Sequence, residues 1–118
     1  MKNPGEFVLS LFNARTVAHV QHLQTNSYAR HIALNEFYDG LIPLADSFAE
    51  AYQGCFGLIE FKATSYRLEK DPIRFLESIK ALVLGARAEL ADQPSLQNIL
   101  DEIVNLTSQA LYKIGHLS

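Results

Sequence analysis

One stretch of the sequence carries polar side chains of the types that bind metal ions. Five of them recur between residues 29 and 54, at steps of four, four, seven and four: His31, Asn35, Asp39, Asp46 and Glu50. At about 100° per residue in an α-helix, they fall within an arc of roughly 100° and form one polar stripe. Such a stripe is typical of a solvated helix face, and it is equally typical of a set of metal ligands.

Histidines would supply the nitrogen ligands of such a set. His19 and His22 lie three residues apart on the preceding helix, and His31 follows after a short turn, so His22 and His31 can approach each other. Imidazole is a common ligand for iron and zinc. A single histidine at the edge of a core is more often satisfied by a backbone carbonyl, and both interpretations stay open for these three.

Two carboxylates would supply the oxygen ligands. Asp46 and Glu50 are at positions i and i+4, so they can both face one ion, or they can be a solvated pair of like charges. His31 precedes Asp46 by fifteen residues, which is ~22 Å along a helix. One ion cannot contact both within one chain, so a common site needs histidines from one subunit and carboxylates from another. The chain has no Glu-x-x-His motif, which excludes the usual di-iron site inside one bundle.

Four helices are predicted to position these residues. Their starts are marked by a capping residue, followed in most cases by proline. These signals stand at Asn3-Pro4, Ser27, Asp71-Pro72 and Pro94. Gly54 is the expected terminator of the second helix. The four predicted helices span about residues 4–23, 27–53, 71–91 and 95–115.

Apolar positions and connection lengths predict the fold. In the second helix, an apolar arc borders the polar stripe and is expected to face the core. Its members are Leu34, Phe37, Leu41, Leu44, Phe48 and Tyr52. The link from Gly54 to Lys70 is long enough to run from one end of a bundle to the other. We therefore expect one all-α domain over residues 1–118, an antiparallel four-helix bundle of ferritin-like type with a longer crossover between helices two and three. A plain up-down-up-down bundle is the alternative.

Composition restricts the class of function. The 118-residue chain has a net charge of −3 and no basic tail, so direct nucleic-acid binding is not expected. No apolar run approaches the length of about 18 residues that a membrane span needs, so no membrane association is expected. Cys55 is the only cysteine, which rules out an internal disulfide and a cysteine-based zinc site and favours a cytoplasmic location.

The spacing from His31 to Asp46 and on to Glu50, with Ala49 before the glutamate, resembles the Dps family of mini-ferritins. That family has the pattern His…Asp-x-x-Ala-Glu and holds iron between two-fold-related subunits. The resemblance covers roughly residues 10–54. It implies a ferritin-like protein that binds iron, or zinc in its place, at a contact between subunits.

The resemblance also implies which residues bind the metal. They are His22, His31, Asp46 and Glu50, with His19 and Asp39 as further candidates. His22 matches the family's earlier histidine by context, whereas His19 matches it by strict spacing. Asp39 would hold an imidazole N–H. The implied function is iron binding by an oligomer, with ferroxidase activity and iron storage left open.

The sequence departs from the Dps pattern at several positions. Asn35 stands where the family has a second aspartate, and Leu23 stands where it has tryptophan. The run His-Leu-x-Thr-x-Ser-Tyr-Ala-x-His, from His22 to His31, is also similar to small ferritin-like proteins encoded by tailed bacteriophages. The alternative function is therefore a metal-free helical bundle that acts in assembly or host interaction, without catalysis.

Apolar side chains on helices one and two predict a homo-oligomer. They cover more than one stripe of each helix, which is more than a small bundle is expected to bury. These residues are Phe7, Val8, Leu11, Phe12, Val20, Leu34, Phe37, Tyr38, Ile42 and Phe48. We expect a symmetric homo-oligomer with helices one and two at a two-fold contact.

Overall fold

The computed structural model describes residues 1–117 as four α-helices with one long connection. The helices are α1 (Pro4–Gln24), α2 (Tyr28–Phe56), α3 (Pro72–Glu89) and α4 (Pro94–His116). Two of the predicted caps form: the Ser27 hydroxyl accepts from the N–H of Arg30, and the Asp71 carboxylate accepts from the first N–H groups of α3. Asn3 occupies the N-cap position of α1 without a side-chain cap bond. The predicted helices are confirmed to within a few residues at each end.

The predicted end of α2 at Gly54 is wrong. The helix continues through Gly54 to Phe56, and the terminating residue is Gly57, whose φ is +94°. An L-residue rarely adopts this backbone conformation, whereas glycine adopts it freely. Gly54 has ordinary helical geometry, so its glycine character did not identify the end of the helix.

Neighbouring helices run antiparallel around the bundle. Lys113, near the end of α4, forms an ion pair with Glu36, near the start of α2, at 2.5 Å. Gln21, near the end of α1, donates its amide N–H to the carbonyl of Glu69, just before α3 begins. α1 packs on α2, α2 on α4 and α4 on α3, while α1 and α3 are the least closely packed of the four neighbouring pairs. The antiparallel four-helix bundle with a crossover between α2 and α3 is confirmed.

Apolar side chains from all four helices form one core. The predicted apolar arc of α2 faces it, with Leu44 partly buried and the other members buried. The rings of Phe7 and Phe48 meet edge to face, with 5.3 Å between their centres. Thr107 is fully buried on α4, where its hydroxyl donates to the carbonyl of Ile103. No helix in residues 1–117 is both long enough and apolar enough to cross a membrane.

The apolar residues that predicted an interface on helices one and two are largely covered by the bundle itself. Seven of the ten apolar residues assigned to it are buried within the single chain, and the other three are partly buried. The buried seven are Phe7, Val8, Leu11, Leu34, Phe37, Tyr38 and Phe48. The bundle covers two sides of each of these helices, because α2 lies between α1 and α4. The homo-oligomer itself stays a prediction, without this apolar patch to support it.

The crossover, residues 57–70, runs beside α1 as an extended chain. It passes the start of α1, where the Glu60 carbonyl lies against Gly5, and reaches the end of α1 at the bond between Glu69 and Gln21. Gly5 and Gln21 are ~24 Å apart along the helix, while nine residues extend to ~30 Å at most. The crossover is therefore nearly as short as this path permits, and it is drawn out along the molecule.

We expect the close passage of the crossover to make Gly5 sensitive to substitution. A Cβ at Gly5 collides with the main-chain carbonyl oxygen of Glu60, which cannot rotate away as a side chain can. Gly5→Ala should lower the free energy of unfolding by about 1–3 kcal/mol in urea titration. The matched control is Gly54→Ala, which has no atom within 4 Å of the new Cβ and should raise the free energy of unfolding by about 0.5–1 kcal/mol. Equal effects of the two substitutions would contradict the packing at Gly5.

Candidate functional site

His22 and His31 form a reciprocal pair, here called the histidine clasp. The Nδ1–H of His22 donates to the carbonyl of His31 at 2.7 Å, and the Nδ1–H of His31 donates to the carbonyl of His22 at 2.9 Å. Their rings stack with centres 3.6 Å apart and planes 20° from parallel. A carbonyl oxygen only accepts, so the proton of each ring is on Nδ1. The predicted approach of these two histidines is confirmed.

The clasp joins the end of α1 to the start of α2. The last carbonyls of a helix have no partner within it, and the imidazole of His31 satisfies one of them. The link between the helices has only three residues, in which the hydroxyl of Thr25 accepts from the N–H of Ser27. His22 is buried and His31 is half-buried. The two histidines therefore have a structural role in closing the hairpin.

A second polar network continues from the clasp along the contact of α1 and α2. The ring of His19 stacks on the ring of Tyr38, with centres 4.5 Å apart. The guanidinium of Arg15 lies over the Tyr38 ring, 5.3 Å from its centre. The Tyr38 hydroxyl donates to the Asn35 side-chain oxygen at 2.6 Å, and the Asn35 amide donates to Asp39 at 3.1 Å. Asp39 thus accepts from an amide and not from an imidazole. The first half of the predicted polar stripe is occupied by contacts within the hairpin.

The carboxylates of the predicted site lie apart from the histidines. Asp46 and Glu50 are exposed on α2. Along the helix they lie ~22 Å and ~28 Å beyond His31. In residues 1–117, no group of three or more histidine, cysteine, aspartate or glutamate side chains is placed to hold a metal ion. The structure brings His19, His22 and His31 into one area of a single chain, but not the carboxylates.

The clasp does not fit a metal chelate as it stands. The free Nε2 lone pair of each imidazole lies in its ring plane, and the two planes are stacked nearly parallel. An ion ~2.1 Å from both nitrogens would lie well outside both planes. The bond from Nδ1–H to a carbonyl is nevertheless the one that orients many metal-binding histidines. One imidazole at a time can therefore present Nε2 to an ion, but the pair cannot chelate it together.

Exposed apolar side chains gather in and next to the crossover, where the sequence predicted a connection but no functional residue. They belong to a stretch in which aromatic and aliphatic residues follow no helical period, and that pattern is the signal that could have identified them. They are Phe56, Leu58, Phe61, Tyr66 and Leu68, and together we call them the crossover patch. Between the crossover, α1 and α3 lies a groove of about 310 Å³, which Tyr66 and Arg67 help to line.

The fold and these features define a small α-helical bundle with a histidine-closed hairpin. The chain belongs to a family of unknown function (DUF5856), whose profile matches residues 22–114. It is 28% identical over 112 residues to the uncharacterized 14.6 kDa protein in the mobD-ri intergenic region of Enterobacteria phage T4. That alignment covers 93% of this chain and 86% of the phage protein. No solved structure matches the chain. The comparisons thus support a phage-type protein, and neither the family description nor the name of the phage protein refers to ferritin, Dps or iron.

We expect the clasp to contribute to stability without any metal. His31→Ala should lower the free energy of unfolding by about 1–2 kcal/mol, because it leaves the terminal carbonyl of His22 without its donor. His22→Ala should lower it by a similar amount, because it removes a buried side chain together with its hydrogen bond. The double variant should lose less than the sum, since both substitutions remove the same stack. Urea titration in the presence of a chelator measures these values. The exposed controls Asp46→Asn and Glu50→Gln should change stability by less than about 0.5 kcal/mol, and clasp variants as stable as these controls would contradict the structural role.

Proposed function

We propose that this protein is a non-catalytic binding module that acts by contact with another protein on the side of the bundle formed by the crossover. The observation that carries the proposal is the crossover patch. Leu58 is 89% exposed and Leu68 is 60% exposed, although neither has a polar atom that benefits from water. A row of exposed apolar side chains along one segment is typical of a surface that another protein covers.

The backbone of the crossover supports the same proposal. Between residues 58 and 70, the hydrogen bonds found to other parts of the chain are from the N–H of Ile59 to Gln53 and from Gln21 to the carbonyl of Glu69. An extended segment with unpaired donors and acceptors can bind a partner through its main chain as well as its side chains. The chain exposes 6932 Å², compared with ~6,400 Å² for an average monomer of its mass. This excess is consistent with a surface that a partner covers.

The polar clusters also favour binding over catalysis. The histidines donate to carbonyls, Tyr38 and Asn35 are bonded to each other, and Asp39 accepts from Asn35. The histidine bonds hold α1 against α2, and the other two bonds lie within α2. A protein of phage type that works by assembly or host interaction is the alternative that the sequence left open, and the crossover patch gives that alternative a surface.

We expect polar substitution in the crossover patch to abolish partner binding without unfolding the chain. The variant Leu58→Ser/Leu68→Ser changes two exposed side chains, so its circular dichroism should match that of the unaltered protein. Affinity capture from cells that naturally make the protein, with quantitative mass spectrometry, should recover a partner with the unaltered chain and at least roughly ten-fold less with the variant. Glu60→Ser/Lys62→Ser, at exposed polar positions of the same segment, is the matched control and should retain the partner. Equal recovery with both variants, or no partner at all, would refute the proposal.

A second candidate function is metal binding between two copies of α2, as the Dps resemblance implies. Two features favour it: the Nδ1–H bonds leave Nε2 of each imidazole as an acceptor, and the carboxylates of Asp46 and Glu50 are exposed. A two-fold antiparallel contact of α2 would lay His31 of each copy over the carboxylates of the other. Nitrogen and oxygen ligands together suit iron or zinc. Iron storage or oxidation is the finer form of this candidate.

Complementation between two variants tests this candidate. Asp46→Asn/Glu50→Gln removes the anionic ligands while keeping shape, and His31→Ala removes a nitrogen ligand, so each should bind no iron or zinc by elemental analysis of untagged protein. A mixture should recover up to half of the sites in each mixed dimer, because one site then has both intact ligand sets. Metal retained by the carboxylate variant, or no recovery on mixing, would rule out a shared site.

A further inference from the structure

One face of α3 is turned to solvent along its whole length. Its residues are Arg74, Ser78, Ala81, Leu82, Gly85, Ala88 and Glu89, and together we call them the α3 face; all seven are exposed. They follow helical spacing, so they lie on one side of the helix. The opposite side of α3 contributes Leu76, Ile79 and Val83 to the core. The α3 face is therefore an unpartnered helix surface with an uncharged middle.

The neighbouring helix does not cover this face. α3 packs closely on α4 but only loosely on α1. A groove of about 520 Å³ lies between α3 and the start of α1. Leu82, Gly85 and Glu89 line the groove on the α3 side. Burial raises the pKa of the Tyr52 hydroxyl at the same end of the bundle, and the charge of Glu89 adds to this effect.

The charges of the α3 face are complementary to those of a second, antiparallel copy of the same face. Arg74 is at one end and Glu89 at the other, fifteen residues away, or ~22 Å along the helix. In an antiparallel pair of α3 helices centred between Ala81 and Leu82, each Arg74 lies opposite Glu89 of the other copy. Neither residue forms a salt bridge in the part of the chain that the structure describes. Arg87 of the same helix, by contrast, is bonded to Asp101 at 2.6 Å, which raises the pKa of its guanidinium.

The uncharged residues fit the same pairing. In that register, Ser78 lies opposite Gly85, and Ala81 lies opposite Leu82. Small residues on both helices allow their axes to approach closely, and Leu82 then packs against a small side chain of the other copy. The antiparallel direction also aligns the two helix dipoles favourably. Charge, shape and direction thus agree on one two-fold arrangement.

We propose that the α3 face binds a second copy of this chain in an antiparallel two-fold contact, with reciprocal ion pairs between Arg74 and Glu89. This inference goes beyond the proposed function, because the α3 face shares no residue with the crossover patch. The contact is ~22 Å long and about one helix, ~10 Å, wide, which is small compared with the ~800 Å² per partner of a standard interface. The dimer is therefore weak and forms in the upper micromolar range.

Charge reversal tests the pairing directly. Sedimentation velocity of the full chain from about 10 to 500 µM, at low salt, should show a reversible dimer. Arg74→Glu and Glu89→Arg should each raise the dissociation constant roughly ten-fold or more, because each places like charges opposite each other twice. Arg74→Glu/Glu89→Arg should restore it to within about three-fold, because the pairs are reversed but intact. Both single changes place the favoured charge at their helix end, so a loss of dimer does not reflect a destabilised helix.

The control is Glu50→Arg, which makes the same change of charge on the exposed side of α2. It should leave the dissociation constant within about three-fold of the unaltered value. Absence of a dimer at 500 µM, failure of the double reversal to restore it, or an equal effect of Glu50→Arg would each overturn the α3 pairing. These outcomes are independent of partner capture by the crossover patch, so failure of this inference is distinguishable from failure of the proposed function.

Discussion

The reach of the crossover determines how the rest of this bundle is arranged. α2 ends at Gly57, at the start of α1, whereas α3 begins beside the end of α1. The connection must therefore travel the length of α1 in few residues, and it has to be extended. An extended chain buries little of its own surface, so its apolar side chains stay in contact with water. It also lies over the side between α1 and α3, where helix packing is loosest.

The clasp stabilises the short connection between α1 and α2, at the end of the bundle where α1 ends and α2 begins. A three-residue turn between two long helices leaves the last carbonyls of α1 without partners. The imidazole of His31 satisfies one of them, that of His22, while the imidazole of His22 donates to a carbonyl in the first turn of α2. Because each ring donates to the main chain of the other residue, the interaction fixes the helices relative to each other and not only the side chains. The hairpin of α1 and α2 is thereby the more closely packed half of the bundle, and the side of the crossover between α1 and α3 is the more open half.

Much of the fold could be predicted from local signals, and the errors have physical causes. Proline and capping residues at Ser27 and Asp71 identified helix starts, because they act on the first turn alone. Gly54 and Gly57 are chemically identical, and only the backbone path decides which one adopts a positive φ. The approach of His22 and His31 followed from the short turn. Donation from each imidazole to a backbone carbonyl was one of the two interpretations that the sequence left open, and the structure has it. Which carbonyl accepts could not be predicted, since ring orientation depends on the packing of two helices.

The two surfaces that could join copies of this chain have opposite electrostatic requirements. An antiparallel contact of α2 would put Asp39 close to Asp39 of the other copy at the two-fold axis. The same contact would contain Asp46 and Glu50 of both chains. Among the acidic residues of this side of α2, only Glu36 forms an ion pair within residues 1–117, with Lys113. That many carboxylates in one contact repel unless a cation lies between them. The α3 face carries equal and opposite charges and needs no bound ion. Any self-association through α2 must therefore depend on metal, whereas association through α3 must persist in a chelator and weaken with salt, as its exposed ion pairs are screened.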